Sequence, residues 1–259
     1  MALLETSFYS DVLGMCCRMN VILPQRTVSQ IGMRGVDGGS EYPVLYLLHG
    51  LSDDHSIWLR RTSIERYASE MGLAVVMPNV HRSFYTDMEQ GQRYWTFISE
   101  ELPRITKTLF KISDKREHTF VAGLSMGGYG ALKLALNHPN RYAYAASLSG
   151  VMDIAHFWKQ RGGNNAEYKM IFGSLKKLKN SLNDLHYVAE ELAKKRRKPK
   201  LYIACGSEDH LIGDNRRFHE KLDDLKIKHE YVEEPGAHEW GFWDSHIQKV
   251  LGDIQEMIR

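Results

Sequence analysis

VAGLSMGGYG, residues 121–130, is the stretch that decides how this chain folds. Its core is the pattern Gly-x-Ser-x-Gly, with Ser125 between Gly123 and Gly127. In a nucleophile elbow the serine lies at a strained strand-to-helix turn, so the residues two before and two after it must be small. Both glycines meet that requirement, and the pattern predicts such a turn around Ser125.

The flanking sequence supports the elbow. Residues 118–124 form a short apolar run typical of a strand, and residues 128–138 are apolar and helix-like until Pro139 ends the helix. The alternative is a glycine-rich turn that carries a serine by chance. A strand before the turn and a helix after it favour the elbow.

Length and composition indicate one globular domain spanning residues 1–259. The hydrophobic share of 43% and the charged share of 25% are ordinary for a soluble protein with a sizeable core. We find no repeat, low-complexity tract or linker, and single α/β domains of about this size are common. A net charge of +2 says little about partners.

The N-terminal residues and the cysteines predict a cytoplasmic protein. Residues 1–10 contain Glu5 and polar side chains where a secretory signal needs a basic start and a long apolar run. No stretch of about 18 apolar residues is present, so we expect no contact with a membrane. The sequence has three cysteines, Cys16, Cys17 and Cys205. A small and odd number of cysteines argues against a disulfide framework.

Strand-like and helix-like segments alternate along the chain. An antiparallel hairpin opens it (7–10 and 15–23), and the further predicted strands are 44–48, 73–77, 118–124, 142–148, 200–205 and 230–233. The predicted helices are 55–71, 93–110 with a kink at Pro103, 128–138, 215–225 and 240–258. This order predicts an α/β fold with a mostly parallel, doubly wound sheet of about eight strands, whose exit loops gather on one edge.

Residues 151–198 interrupt this alternation. Loops of such length in compact domains are usually lids or insertions, so we expect a lid here. The segment ends in KKRRK, residues 194–198. This block could contact nucleic acid, but without interleaved aromatic residues a solvated helix end is favoured, and we expect no nucleic-acid partner.

Ser125 needs a base within hydrogen-bond reach and a third group that orients the base. After a nucleophile elbow the expected order is nucleophile, acid, histidine. Asp209 and His238 fit that order, because each follows a predicted strand directly. We therefore predict Ser125 as nucleophile, His238 as general base and acid, and Asp209 as the carboxylate that orients His238.

Each of these two partners has rivals. Glu208 would point away from its neighbour at the strand exit, and Asp214 is expected to cap the next helix. For the base, His210 and His246 are the nearest competitors, but only His238 stands alone at the right strand exit.

An oxyanion needs two preorganised N–H donors. The amide of Met126 follows the nucleophile at a helix N-terminus, and the amide of Leu51 follows the first central strand, so we predict these two amides as the oxyanion hole.

Four aromatic residues could line a substrate pocket or only pack a loop: Phe84, Tyr85, Trp158 and Trp240. Trp240 is favoured as a pocket residue because it follows His238 closely.

The sequence contains no recognised cofactor motif. There is no His-Glu-x-x-His and no cysteine pair at ligand spacing, and neither a Gly-x-Gly-x-x-Gly nor a Walker pattern occurs. We expect no metal and no cofactor.

Taken together, these motifs resemble the esterase D branch of the α/β-hydrolases, and within it the chain looks most like the bacterial tributyrin esterases. The matching segments span most of the chain; they are LYLLHGLS (45–52), VMPN (76–79), YTD (85–87), EELP (100–103), AGLSMGGYG (122–130), CGSED (205–209) and GAHEW (236–240). Residues 151–198 do not match closely.

The resemblance implies an α/β-hydrolase fold and a carboxylesterase for short acyl chains, acting on a small-molecule ester. Ser125, Asp209 and His238 fall on the family's triad, and the Leu51 and Met126 amides on its oxyanion hole. The wider family includes S-formylglutathione hydrolases, feruloyl and acetylxylan esterases and mycolyltransferases, so fold and triad do not fix the substrate. Relatives of this kind often form homo-oligomers.

Three hypotheses follow. The first is a cofactor-free serine esterase with an acyl-enzyme on Ser125. The second keeps the triad but transfers the acyl group to another acceptor or cleaves a thioester. The third is a hydrolase fold kept as a binding module without turnover, which the ordered set of catalytic residues makes the weakest of the three.

Overall fold

The computed structural model describes residues 1–33, 35–36 and 39–259, and its centre is an eight-stranded sheet in the order β1-β2-β4-β3-β5-β6-β7-β8. The strands are β1 Ala2–Ser10, β2 Met15–Leu23, β3 Val44–Leu48, β4 Ala74–Pro78, β5 Thr119–Leu124, β6 Tyr144–Leu148, β7 Lys200–Gly206 and β8 Glu230–Glu234. Pairing is antiparallel for β1 with β2 and for β2 with β4, and parallel from β4 through β3 to β8. The predicted α/β class and mostly parallel sheet are confirmed.

The helices fill the connections between strands. They are α1 Ile57–Arg61, α2 Ile64–Ala68, α3 Tyr94–Thr96, α4 Leu102–Leu109, α5 Met126–Asn137, α6 Ile154–Gln160, α7 Ala166–Phe172, α8 Leu175–Leu178, α9 Leu185–Ala193, α10 Ile212–Asp224 and α11 Trp240–Ile258. Among the described residues, no helix combines the length and apolarity needed to cross a membrane.

The central strands are buried on both faces, as their unbroken apolar sequences require. Side chains of β3 alternate between two hydrophobic cores: Tyr46 faces the core that includes α5, and Leu47 faces the core that includes α11. With helices on both faces, ligand-binding loops are left to the carboxyl edge of the parallel strands.

The hairpin at the start of the chain forms as predicted, with Gly14 in the left-handed conformation at its turn (φ 64°). Cys16 is exposed and Cys17 buried, as alternation along a strand requires. The buried carboxylate of Glu101 accepts hydrogen bonds from the Ser10 hydroxyl and the Asp11 amide. This fixes the hairpin turn against the helical segment that contains Glu101.

Two predicted helices differ in detail. The segment predicted as helix 55–71 forms only the short helices α1 and α2. The segment 93–110 is helical from Tyr94 to Leu109, but its irregularity is a π-helical turn at Phe97–Glu101, which precedes Pro103. Pro103 is the second residue of α4 and follows the π-helical turn directly, in which the Leu102 amide donates to the Phe97 carbonyl.

Residues 151–198 hold four short helices, α6 to α9. The side chains that cap their N-termini by accepting backbone amides are Asp153, Asn165, Ser174 and Asp184. The amides of Glu89 and Gln90 donate to the carbonyls of Ile171 and Met170 and join this segment to the loop after β4. That the chain is one domain with 151–198 as its lid stays a prediction.

Candidate active site

Ser125 lies between β5 and α5 with φ 53° and ψ −118°. A non-glycine residue rarely adopts this conformation, and such strain is held only where the surroundings enforce it. Here the Ser125 amide donates to the Leu148 carbonyl at 2.8 Å, and the Ser125 carbonyl accepts from the Tyr129 amide at 3.1 Å. The turn is therefore fixed by the neighbouring strand and by the helix that follows.

The two glycines of the elbow are required by contact with backbone. A Cβ atom on Gly123 would lie 2.4 Å from the carbonyl of Gly127, and one on Gly127 would lie 2.4 Å from the Leu48 oxygen. Real Cβ atoms do not approach other atoms so closely. Strand β5, helix α5 and strand β3 meet here with no space for a side chain.

The structure brings Ser125, His238 and Asp209 together from three exit loops. His238 Nε2 lies 3.1 Å from Ser125 Oγ, and His238 Nδ1 lies 2.8 Å from Asp209 Oδ2. Asp209 follows β7 and His238 follows β8, so adjacent parallel strands deliver the acid and the base to the same edge as the elbow. Their geometry is that of a Ser-His-Asp triad.

The carboxylate of Asp209 is buried and remains ionised. Burial alone raises its pKa, but hydrogen bonding to His238, the charge of His238 and the Leu211 amide together outweigh burial, so that the pKa of Asp209 is lowered. The Leu211 amide donates to its second oxygen at 2.8 Å. An ionised Asp209 accepts a hydrogen bond from His238 Nδ1–H, which leaves the lone pair of Nε2 free to accept a hydrogen bond from the Ser125 hydroxyl.

The rival acids lie elsewhere. Glu208 is exposed and accepts a hydrogen bond from the Gly236 amide at 2.6 Å. Asp214 does not cap α10 as expected, since Leu211 is the N-cap residue; its carboxylate instead binds His156 at 2.7 Å. Asp214 is buried inside the first turn of α10, and the same Oδ1 also accepts a hydrogen bond from Arg217 rather than from a helix amide.

The rival bases are also accounted for. His246 is buried within α11 and forms a 2.7 Å hydrogen bond with the Tyr202 hydroxyl. His210 contacts His238 edge to face, with ring centroids 4.7 Å apart, and Trp243 contacts His238 from another side at 4.9 Å. Both rings restrict the orientation of His238.

Leu51 and Met126, whose amides are the predicted oxyanion donors, line the same cavity as Ser125. Met126 is the first residue of α5, where the helix dipole favours negative charge. No hydrogen-bond acceptor meets either amide among the described residues. That these two amides form the oxyanion hole stays a prediction.

The orientation of the Leu51 amide depends on His49, a residue that the sequence analysis did not single out. His49 Nε2 accepts the Val80 amide at 3.1 Å, so its proton lies on Nδ1, which donates to the Gly50 carbonyl at 2.7 Å. In a trans peptide the carbonyl and the next amide point in opposite directions. Since His49 holds the Gly50 carbonyl on one side, the Leu51 amide is held on the other.

The cavity has a volume of about 530 Å³. Besides Ser125, His238 and the two amides, its wall includes the apolar side chains Phe84, Val151, Phe157, Leu211 and Trp240 and the charged or polar side chains Asp53, Arg161, His210 and Glu239. Arg161 and Phe157 come from the segment 151–198. That segment therefore contributes to the wall of the cavity.

Two aromatic residues predicted to contact substrate do not line this cavity. Tyr85 is fully buried, and its hydroxyl donates to the His49 carbonyl at 2.9 Å. Trp158 packs against Tyr168 and Phe172 in the core under the segment 151–198. Both serve to pack loops, and this corrects the expectation for Tyr85 and Trp158.

Phe84 reaches the cavity because two consecutive residues, Phe84 and Tyr85, adopt left-handed backbone conformations (φ 50° and 51°). The buried Nζ of Lys133 donates to the Tyr85 carbonyl at 2.7 Å and to Thr86 Oγ1 at 3.0 Å. Burial lowers the pKa of Lys133 well below its ordinary value. Lys133 thus ties the strained loop to α5, about two turns after the elbow.

Asp209, His210 and His238 have ligand atoms close enough for a metal ion to bridge. However, both ring nitrogens of His238 are already hydrogen bonded, so a metal would have to displace the bonds to Ser125 or Asp209. The expectation that the site needs no metal and no cofactor stays a prediction.

Comparison with known proteins gives the family. Residues 10–254 match the esterase family described as "Putative esterase". The chain is 32% identical over 259 residues to an acetyl esterase of Caldicellulosiruptor saccharolyticus, covering 97% of each chain.

Two solved structures from Staphylococcus aureus are similar over 98% of both chains. The fluorophosphonate-binding serine hydrolase FphF has a TM-score of 0.86 and 34% identity, and the S-formylglutathione hydrolase FrmB has a TM-score of 0.85 and 34% identity. The nucleophile elbow and the eight-stranded sheet of this chain are consistent with these matches. The chain belongs to this esterase family and is a serine hydrolase of the α/β-hydrolase fold that acts on ester bonds.

Proposed function

We propose that the protein is a short-chain carboxylesterase, similar to bacterial tributyrin esterases, in which Ser125, His238 and Asp209 form the catalytic triad. One observation carries the proposal: the continuous hydrogen-bonded line from Ser125 Oγ through His238 to Asp209, at 3.1 Å and 2.8 Å, in the wall of a cavity. Localisation in the cytoplasm and self-association stay predictions.

Hydrolysis proceeds in two halves. Ser125 Oγ attacks the ester carbonyl carbon while His238 Nε2 takes the serine proton, and the amides of Leu51 and Met126 bind the resulting oxyanion. The intermediate collapses as His238 returns the proton to the leaving alcohol, which yields an acyl-enzyme. A water molecule, deprotonated by His238, then attacks the acyl carbonyl, and the carboxylic acid and free Ser125 are released.

The apolar part of the cavity supports a small acyl group. Phe84, Val151, Phe157 and Leu211 lie together in the wall and are largely buried. Phe84 packs against Phe157 and Tyr129, with centroids 6.2 and 6.1 Å apart, so the wall is braced by other rings. Such a wall resists the expansion that a long acyl chain would require.

The charges of the cavity favour a neutral leaving group. Asp53 and Glu239 contribute two carboxylates against the one guanidinium of Arg161. A groove of about 760 Å³ adjoins the cavity and shares Leu51, Ser52 and Asp53 with it; its charged pair, Arg82 and Glu167, is mutually neutralised. This excess of negative charge opposes an anionic leaving group such as glutathione.

Thioester hydrolysis is the second candidate. It is supported by the similarity to the S-formylglutathione hydrolase of Staphylococcus aureus. The triad chemistry is the same for an ester and a thioester, so the two candidates differ only in the leaving group that the cavity accepts.

The test is steady-state hydrolysis of p-nitrophenyl esters from acetate to octanoate, with methyl ferulate and S-formylglutathione measured in parallel. We expect kcat/KM to fall sharply beyond butyrate and both other substrates to be poor. Ser125→Ala should lose turnover and fluorophosphonate labelling while it keeps its circular dichroism spectrum. A folded Ser125→Ala variant that retains most of its turnover would contradict the proposal, and a preference for S-formylglutathione would establish the second candidate.

A further inference from the structure

A cluster of His219, Asp223 and His229 lies where α10 ends and β8 begins, and none of its members lines the catalytic cavity. One ligand atom from each residue lies within 4.8 Å of the other two. His219 Nδ1 is 2.7 Å from His229 Nε2, and His219 Nε2 is 3.5 Å from Asp223 Oδ2. The catalytic reaction uses none of these side chains.

The proton position on His229 follows from its hydrogen bonds. Its Nδ1 lies 2.8 Å from the Ile227 carbonyl, which can only accept, so the proton is on Nδ1 and the lone pair of Nε2 points towards His219. Metal-binding histidines usually donate their other ring N–H to a carbonyl or a carboxylate in this way. His229 therefore already has the tautomer and orientation of a metal ligand.

His219 is held by stacking and by its position on the helix. Its ring lies parallel to Tyr231, with centroids 4.3 Å apart and an angle of 6° between the planes. His219 and Asp223 are four residues apart, so they share one face of α10 near its C-terminal end. The dipole at that end of a helix favours a cation.

We propose that His219, Asp223 and His229 bind a divalent transition-metal ion of the zinc class. Two imidazoles, one carboxylate and a water molecule suit Zn²⁺, which prefers four ligands in tetrahedral geometry. Zn–N bonds of about 2.0–2.1 Å place tetrahedral ligands about 3.3 Å apart, so the two rings must separate slightly while the exposed carboxylate of Asp223 closes onto the ion. For His219 to bind the ion through Nδ1, its proton must shift from Nδ1 to Nε2, so that the ring stays neutral.

The ion would act as a structural link. It would join the end of α10 to the start of β8. Asp209 precedes α10 in the chain, and His238 follows β8. Because the ion binds the folded arrangement only, the stabilisation of the fold should rise with the logarithm of the free ion concentration once that exceeds the Kd. Lys198, Lys200 and Lys228 line the adjoining groove with His229, so the site should bind Zn²⁺ more weakly than one without cationic neighbours.

The test is titration of the metal-free full chain with Zn²⁺ against a chromogenic chelator, with Co²⁺ absorption as a probe of tetrahedral geometry. We expect one ion per chain at this site and a rise of several degrees in Tm with Zn²⁺. His229→Gln should lose more than about 100-fold in affinity, since even removal of a group that only orients a ligand typically costs about 10–100-fold.

Asp223→Asn tests the same site with little risk to folding, because Asp223 is exposed; Asp224→Asn is the matched control on the same helix turn. We expect weaker zinc binding and a smaller rise in Tm for Asp223→Asn, and no change for Asp224→Asn. Equal affinity in the wild type, His229→Gln and Asp223→Asn would overturn the proposal. So would zinc binding that disappears only in His210→Gln, because the ion would then belong to the cluster at the active site.

Discussion

His49 makes the protein sensitive to acid in a way that can be measured. Its Nε2 accepts the Val80 amide and its Nδ1–H donates to the Gly50 carbonyl, so a second proton cannot bind without breaking the contact with Val80. Burial, the largest cause, lowers the pKa of His49 from 6.5 to about 4, although the Gly50 carbonyl acts in the opposite direction. Lowering the pH is therefore expected to favour unfolding.

The size of the effect follows from the pKa of His49 in the two states. A difference between 6.5 unfolded and about 4 folded corresponds to about 3 kcal/mol, since each unit is about 1.4 kcal/mol. The unfolded state binds the proton more readily, so this stability is fully present above about pH 6.5 and is lost as the pH falls to about 4. About 2 kcal/mol of it should be lost by about pH 5.

Urea unfolding followed by circular dichroism, near neutrality and at about pH 5, measures the loss. In His49→Gln the side-chain amide can still donate and accept hydrogen bonds but does not titrate. Between neutrality and about pH 5, the free energy of unfolding of this variant should therefore fall by about 2 kcal/mol less than that of the wild type. Burial also lowers the pKa of His138 to about 4, so His138→Gln is a second variant expected to reduce the pH dependence. The same pH dependence in the wild type and His49→Gln would refute the reasoning.

Three further predictions concern the elbow and the triad. Asp209→Asn should lower kcat for p-nitrophenyl acetate by about 10⁴-fold, as the same change does in a Ser-His-Asp protease, whereas Glu208→Gln should change kcat little; similar losses in both would contradict the assignment. Gly127→Ala forces a Cβ to within 2.4 Å of the Leu48 oxygen, so urea unfolding should show a loss of at least about 3 kcal/mol, and a loss below about 1 kcal/mol would show that β3 and α5 can separate there. Ser125→Gly should be more stable than Ser125→Ala by about 1 kcal/mol, because both lack the hydroxyl but only glycine tolerates φ 53° without strain; the opposite order would mean that the turn is not strained.

The fold was predictable where a local sequence allows one conformation only. Glycines flanking Ser125 at both sides, with an apolar strand before and an apolar helix after, define the elbow without knowledge of the rest of the chain. Continuous apolar runs such as residues 44–48 identify strands covered on both faces. The order of strands and helices then predicts a parallel sheet, and its carboxyl edge predicts that Asp209 and His238 lie together.

The lining of the cavity was less predictable, because it depends on contacts between distant segments. Nothing in the sequence distinguishes Phe84, which faces the cavity, from its neighbour Tyr85, which is buried. Their left-handed backbone conformations and the hydrogen bond from Lys133 to the Tyr85 carbonyl determine which of the two side chains faces the cavity. Asp214 resembles a helix cap in sequence, yet its Oδ1 pairs with His156 from the segment 151–198 and with Arg217 on α10. The roles of His49 and Arg161 were missed for the same reason, although a histidine directly after a buried strand was an available signal.

The aromatic contacts of His238 have an optical consequence. Trp58 contacts Trp240, Trp240 contacts Trp243, and the ring of Trp243 contacts His238 at 4.9 Å, so three indoles form a chain that ends on the imidazole beside Ser125. Trp240 and Trp243 also line the cavity, so an acyl group on Ser125 should change their emission. A stopped-flow trace of the intrinsic fluorescence would then follow acylation and deacylation without a chromogenic substrate.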